Sequence, residues 1–376
     1  MIEITCQVKE LVKKLNVLSK VPMGAMKSLA PISVRVDEHN NLCELCLCFD
    51  SNYKNYSTYI DYYAYLGNVT CEGSGVFVIP SFMELLNILK TIGNNDYIAI
   101  RFENNKVIIV YGDDVIFKGF SEVPDDSYIQ LLNTLEFEKG FTLPSVLLDY
   151  TSDLLKVIPP KKDSKDARFN SIVFDKNPVQ SNSLVVMRTD AIRLMYYSIS
   201  LDTEWPFGCL VIPEDVMAWF SKLKKKKDKS VLVKIHEHAL SLECGEYRVV
   251  CLVDKKFLPV ADFIKSDVEL VFITSTEPFL KAVEYATIGD KDAAVTIKAK
   301  NQELVVYNWN DESRKRRVNC VLEKDFEWSV KNKFLTSILQ KCGDKVFVNK
   351  LFFSKDLYVI TSSDKDFYYI VSSCKK

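Results

Sequence analysis

The sequence predicts an α+β fold built from three copies of one unit, with largely antiparallel sheets. Two observations carry this. First, three stretches read alike: VIPSFMELLNIL (Val78–Leu89), VIPEDVMAWFSKL (Val211–Leu223) and SVKNKFLTSILQKC (Ser329–Cys342). Each opens on a strand-like pair and continues with apolar residues at i, i+3, i+4 and i+7, one face of a helix. The faces are Phe82, Leu85, Leu86, Leu89; Val216, Trp219, Phe220, Leu223; and Leu335, Ile338, Leu339, Cys342. Pro80 and Pro213 are expected at the first helical position, where a missing N–H costs nothing. The copies lie 133 residues apart (Pro80 to Pro213) and then 118 (Pro213 to Lys331), the size of a domain rather than of a solenoid repeat. Second, the intervening chain is rich in short strand patterns closed by turn signals, so strands outnumber helices.

Composition is that of a soluble globular protein: 376 residues, 48% hydrophobic and 26% charged. No apolar run approaches the roughly 20 residues that span a bilayer. The start, MIEITCQVKEL, lacks a signal peptide's apolar core and cleavage site. A cytoplasmic location is therefore expected, with the 11 cysteines kept as thiols. A net charge of −1 argues neither for nor against nucleic acid, so the placement of charge matters.

In chain order, Cys6–Val21 reads as an amphipathic helix with Val8, Leu11, Val12, Leu15 and Leu18 on one face and Lys9, Lys13 and Lys20 opposite. Pro31–Tyr65 reads as strands with turns at HNN and SNYKN, and Val76–Ile79 leads into the first VIP helix. Ile98–Phe102, Lys106–Tyr111 and Val115–Phe120 are short strands, and the first unit closes near Val123–Asp126. The second unit repeats the order. Leu135–Thr142 precedes a helix from Pro144 with Leu147, Tyr150, Thr151 and Leu154 on one face. Strands follow at 170–174, 183–187 and 194–198, then the second VIP helix, then strands at 230–235, 239–244 and 247–253. The third unit has a strand at Val268–Ile273, a helix around Phe279, Ala282, Val283 and Ala286, further strands, the last helix, and strands at 346–353, 356–361 and 367–371. The expected domains are 1–128, 129–265 and 266–376.

No enzyme site is legible. G-x-x-x-x-G-K-[ST], G-x-G-x-x-G and G-x-S-x-G are missing, and nothing pairs a nucleophile with a base and oxyanion donors. Cys43, Cys46 and Cys48 alternate like a strand and read as buried thiols rather than a zinc site. His236 and His238 flank Glu237 and read as a turn; a metal-dependent hydrolase built on them is the distant alternative. No metal, cofactor or catalytic residue is expected. Basic charge on helices is legible. Lys222, Lys224, Lys225, Lys226, Lys227 and Lys229 crowd the end of the second VIP helix. Lys9, Lys13, Lys20, Lys156, Lys161, Lys162, Lys165, Arg168, Lys281, Lys331, Lys333 and Lys341 lie on helices or their exits. Repeated cationic helix faces suggest a surface that tracks phosphates without reading bases.

The chain resembles the bacterial DNA polymerase III beta subunit, the sliding clamp. LVVMRTDAIRL (Leu184–Leu194) resembles the family's ATDGHRL, and LVDKKFLP after the second VIP helix resembles LVDGRFPDY. FTLPSVLLDYTSDLL and ARFNSIVF resemble the start of the family's middle domain, and SLAPI (Ser28–Ile32) its TLPIL. The collinear set covers essentially the whole chain. The resemblance implies a head-to-tail homodimeric ring of six like domains, helices inside and sheets outside. It implies no catalysis, encirclement of double-stranded DNA, nucleoid association, and tethering of DNA polymerase and clamp-loader subunits through short linear peptides. It places a peptide pocket at Phe169, Thr189, Ala191, Ile192, Arg193, Leu194, Pro259, Phe353, Val371, Ser372, Ser373 and Cys374. Ala191 and Ile192 replace the family's Gly-His, and the end VSSCKK departs from its MPMRL. DNA contacts are expected at Lys9, Lys13, Lys20, Lys27, Lys156, Lys161, Lys162, Arg168, Lys222, Lys281 and Lys333. The family closes its ring between the first and last domains. Here those edges carry Asp113, Asp114 and Ile116, and Ile288, Arg316 and Arg317, with polarity opposite to the family's better-known members. A clamp-fold scaffold that does not encircle DNA is the nearer alternative.

Overall fold

The first helix starts two residues later than its sequence signal, because a strand precedes it. Ile2–Gln7 forms β1, in which Cys6 lies opposite Ile98, so α1 runs Val8–Leu18. Its buried face is Val8, Leu11, Leu15 and Leu18 as expected, with Val12 at the margin. Lys14 is also fully buried, its Nζ 2.7 Å from a Glu246 carboxylate oxygen and 5.0 Å from the centre of the Tyr247 ring.

The computed structural model describes residues 1–22, 31–50, 59–121, 137, 140–160, 166–225, 230–237, 239–290, 292–354, 356–364 and 366–374. After α1 come β2 (Ile32–Asp37), β3 (Leu42–Asp50), β4 (Tyr59–Leu66), β5 (Thr70–Glu72), β6 (Gly75–Ile79), α2 (Phe82–Leu89), β7 (Tyr97–Glu103), β8 (Lys106–Tyr111) and β9 (Asp114–Phe120). Next are β10 (Phe141–Leu143), α3 (Val146–Val157), a 3-10 turn at Ala167–Asn170, β11 (Ser171–Lys176), β12 (Ser183–Thr189), β13 (Arg193–Ser200), β14 (Leu210–Pro213), α4 (Glu214–Phe220), β15 (Val231–His236), β16 (Ala239–Cys244) and β17 (Tyr247–Leu252). The chain ends with α5 (Ala261–Lys265), β18 (Val268–Ser275), α6 (Thr276–Ala286), β19 (Ala294–Lys300), β20 (Glu303–Asn308), β21 (Asp311–Leu322), β22 (Phe326–Lys331), α7 (Asn332–Leu339), β23 (Lys345–Leu351), β24 (Leu357–Ser362) and β25 (Phe367–Ser372).

Pro80 is not at the first helical position. It stands before Ser81, which caps α2 by accepting the Glu84 N–H (3.4 Å), while Pro213 ends β14 opposite Ser171. Proline serves here as a strand exit whose missing N–H is not needed. The segments SNYKN, Val123–Asp126 and Leu135–Glu136 lie outside the described residues.

Contacts divide the chain into two units. Unit 1 comprises Met1–Ser145 and Asp215–Val253. It holds a five-stranded sheet, order β5-β1-β7-β8-β9, and an eight-stranded sheet, order β10-β15-β16-β17-β4-β3-β2-β6. Cys43 and Cys46 sit three apart on β3, hence on opposite faces, and both are buried, so this strand is covered on both sides. Trp219 of α4 is fully buried and donates its indole N–H to the Val17 carbonyl (3.1 Å), fastening α4 to the end of α1. Unit 2 comprises Val146–Glu214 and Asp254–Lys376, with one sheet of order β14-β11-β12-β13-β25-β24-β23-β18-β21-β20-β19-β22. All strand pairs among the described residues are antiparallel. The strands of 129–265 are therefore shared: β10 and β15–β17 extend one sheet through β17–β4, and β11–β14 extend another through β13–β25.

Arg188 anchors unit 2. It is fully buried on β12, donates Nε to the Ile158 carbonyl (2.6 Å), and lies 2.6 Å from Glu214 through Nη2. Burial pulls its pKa below the usual guanidinium range, against the pull of Glu214. Arg188→Met should cost about 3–5 kcal/mol by urea unfolding, because the carboxylate loses its buried countercharge; a loss under about 1 kcal/mol would show that the site relaxes.

Candidate functional site

The β12–β13 turn, Thr189–Arg193, is held by its own side chains. Asp190 Oδ1 accepts the N–H groups of Ile192 (3.1 Å) and Arg193 (2.8 Å), and Oδ2 accepts Arg193 Nε (3.0 Å) and Nη2 (2.7 Å). Arg193 Nη1 donates to the Val157 carbonyl (3.0 Å), and its guanidinium lies over the Phe334 ring at 4.1 Å. Thr189 Oγ1 donates to the Arg193 carbonyl (2.6 Å) and accepts the Ala191 N–H (3.2 Å). This forces Ala191 to φ +72°, where a Cβ is unfavourable. Ala191→Gly should therefore stabilise the protein by about 0.5–1 kcal/mol. A lowered denaturant midpoint would contradict that.

The turn forms one wall of a cleft of about 500 Å³. Phe169, Thr189, Ala191, Ile192, Arg193 and Leu194 line one part; Leu258, Pro259, Val260 and Phe263 line another; Leu357, Ile370 and Ser372 complete it. Leu194, Val260 and Ile370 are also members of a buried core with Val173, Met187 and Tyr196, so the floor is rigid. Ile192, 43% exposed, stands at the rim. The polar liners are engaged internally: Thr189 and Arg193 as above, and Ser372 Oγ with the Ser373 carbonyl (3.3 Å). The cleft thus offers apolar contact and little unclaimed hydrogen bonding.

Of the expected pocket residues, Phe169, Thr189, Ala191, Ile192, Arg193, Leu194, Pro259 and Ser372 are brought together here. Phe353, Val371, Ser373 and Cys374 are not. Val371 is 1% exposed and faces away from the side of β25 that Ile370 and Ser372 present to the cleft. The N–H groups of Ser373 and Cys374 leave for Asp356 (2.7 Å) and Ser329 (2.7 Å), drawing the chain end off the wall. Phe353 is 56% exposed in the β23–β24 turn and packs outside Phe263, ring centres 5.7 Å apart. Strict alternation along β25 would have selected Ile370 with Ser372 from sequence. Phe263 sits on α5, a helix too short to leave a periodic signal.

Lys9, Lys13 and Lys20 are exposed on or just after α1, and Lys156, Arg168, Lys222, Lys281 and Lys333 are exposed too. Lys222 Nζ donates to the Lys20 carbonyl (3.0 Å). Ion pairs join Lys13 to Glu10 (3.3 Å), Arg168 to Asp166 (2.7 Å), Lys281 to Glu277 (2.5 Å) and Lys333 to Asp292 (2.8 Å). Lys27, Lys161, Lys162 and Lys165 lie outside the described residues, as do Lys226, Lys227, Lys229 and His238. His236 ends β15, its ring edge-on to Phe137, and Glu237 forms the hairpin turn at φ +48°.

Two strand edges carry opposite charge. β9 is the terminal strand of its sheet, with Asp113 and Asp114 exposed at its start and Val115 59% exposed. Val115 and Phe117 oppose the consecutive residues Val110 and Ile109, so half-buried Ile116 is the bulged residue between them. On β21 the residues before Cys320 pair, among the described residues, with β20 alone, and β18 takes Cys320–Leu322. That flank carries exposed Arg314, Lys315, Arg316 and Arg317. Arg314 Nη1 donates to the carbonyl of Ile288 (2.7 Å), itself 60% exposed; Arg316 lies 4.4 Å over Tyr285, and Arg317 is 3.3 Å from Glu303.

No family model matches the chain, and no curated protein sequence matches it. Solved structures do, over 100% of both chains. The beta sliding clamp of Caulobacter crescentus superposes with a TM-score of 0.82 at 12% identity. The DNA polymerase III subunit beta of Pseudomonas aeruginosa gives 0.79 at 17%. The beta subunit from the DNA polymerase of Streptococcus pyogenes gives 0.79 at 13%. The fold is the DNA sliding-clamp fold.

Proposed function

We propose that this protein is a DNA sliding clamp: a non-catalytic processivity factor that closes head-to-tail as a homodimer around duplex DNA and tethers a DNA polymerase. The observation that carries this reading is the coverage of the likeness, the whole of this chain against the whole of each clamp. A borrowed domain would leave part of the chain unmatched. The three-domain division, 1–128, 129–265 and 266–376, belongs to this reading, with the middle domain's strands shared between two sheets.

The cleft is the docking site for a short linear peptide of the polymerase or the clamp loader. Its apolar lining and internally satisfied polar groups favour one or two buried apolar anchors, which should dominate affinity. The oppositely charged edges are the ring joints: β9 of one copy pairs with β21 of another. Asp113 and Asp114 then meet Arg316 and Arg317, and Ile116 meets Ile288. Helix cations supply sequence-independent phosphate contacts. Sedimentation equilibrium tests the ring: a species of twice 43.1 kDa is expected, and a monomer at micromolar concentration would remove it.

A further inference from the structure

We infer that the peptide docked in the cleft continues past it, and that an aromatic side chain on its flank seats against Phe352 and Phe353. This rests on the reading of the cleft as a peptide site. The starting observation is a turn whose residues break turn chemistry. The Ser354 N–H donates to the Leu351 carbonyl (3.2 Å), which closes a β-turn with Phe352 and Phe353 at its two central positions. Such positions ordinarily hold Gly, Pro, Asn, Asp or Ser, each for a backbone reason that phenylalanine does not share. Nor does burial explain the pair. Phe352 is 83% exposed, the highest value of any large apolar side chain among the described residues, and Phe353 is 56% exposed. A local rule broken without a local gain points to contact with something else.

The turn is continuous with the cleft. Phe263 lines the cleft and also meets Phe353, ring centres 5.7 Å apart and planes inclined by 59°. Val268, 45% exposed, pairs with Leu351 and so stands beside the turn. The shelf is also fixed in place. The Phe352 N–H donates to the Asp267 carbonyl (3.1 Å), and Leu351 belongs to the same buried core as Leu194 and Ile370 of the cleft. An extended chain advances about 3.3 Å per residue, so a flank of roughly three or four residues reaches from the cleft over Phe263 to the turn. Exposed charges beside these residues in sequence are of both signs: Asp262, Lys265 and Asp267, with Glu269 paired to Lys324 at 2.5 Å. They select no sign of charge in the partner, so ring contact sets the preference.

The test is anisotropy of labelled peptides with the full-length protein. One peptide carries only leucine and phenylalanine anchors. A second adds a glycine–serine flank of about four residues at each end. Two more place tryptophan at the end of one flank or the other. Tryptophan on one of the two flanks should tighten binding about tenfold over the glycine–serine peptide. Phe352→Ser with Phe353→Ser should remove that gain and leave the anchor-only peptide within about twofold of wild type. Phe352→Tyr with Phe353→Tyr should keep the gain. Anchor binding without a tryptophan gain on either flank, or a gain that persists in the serine pair, would overturn the shelf and leave the cleft reading standing. An equal loss for every peptide in the serine pair would make the turn a prop for Phe263 and overturn it too. A changed sedimentation mass for the serine pair would give the shelf to a contact between copies, again overturning it. Failure of all the peptides to bind wild type would overturn the cleft reading and the shelf together.

Discussion

Replacing Asp113 and Asp114 by lysine should convert the dimer to monomers, and adding Arg316→Glu with Arg317→Glu should bring the dimer back. Among the described residues neither β9 nor the Arg314–Arg317 flank of β21 has a second partner strand, and their exposed charges are opposite. Each exposed pair contributes only about 0.2–1 kcal/mol when attractive. Reversing two of them turns attraction into repulsion, about 2 kcal/mol per joint, or roughly thirtyfold in Kd. The proposed ring would have two joints, so the effects compound. In the proposed pairing, strand hydrogen bonds and the packing of Val115, Ile116 and Ile288 would supply the bulk of the affinity, and the charges would decide which edge is accepted. Added salt should weaken the wild-type and restored dimers to a similar small extent and should relieve the repulsion in the double-lysine variant, because exposed charges are screened. Sedimentation reads all three proteins. A dimer unmoved by the first two substitutions would put β9 away from the joint.

Leu194→Asp should abolish binding of a short peptide with leucine and phenylalanine anchors, by about a hundredfold or more, while the dimer persists. The side chain is 6% exposed and forms the cleft floor, so a carboxylate there meets an apolar wall and must shift its pKa or draw in water. Because the floor is shared with the core, this variant also loses stability. Ile192→Asp separates the two effects. Ile192 is at the rim, the fold should survive its replacement, and peptide binding should still fall about tenfold because less apolar surface is covered. Unchanged peptide affinity in Ile192→Asp would move the docking site elsewhere.

How much of this was legible in the sequence follows from the physics of each element. The three helices of the repeated stretches were legible because burial on one face imposes a period, and Phe82, Leu85, Leu86 and Leu89 are all buried where that period puts them. Strand β1 was hidden, because ITCQVKEL also satisfies a helical period at its end; only the partners β5 and β7, far along the chain, decide for a strand. Eight of the expected pocket residues fall on the cleft because TDAIRL is a turn whose hydrogen bonds are written into Thr189, Asp190 and Arg193. Gap-free carry-over of a pocket wall ignores which face each residue takes, and β25 turns Val371 away from the face that Ile370 and Ser372 present to the cleft. Charge on the helices was visible as composition. Its pairing with Glu277, Asp292 and Asp166 was not, because i, i+4 spacing identifies only the first of these.

A sliding clamp holds DNA topologically, by enclosing it. The protein can be allowed to dissociate by dilution, reassemble in the presence of nicked circular duplex, and then be passed over a sizing column in high salt, where phosphate contacts are screened. Protein is expected to elute with the circle and to be lost once a single cut makes the DNA linear. Equal retention before and after the cut, or no retention on the circle, would contradict enclosure.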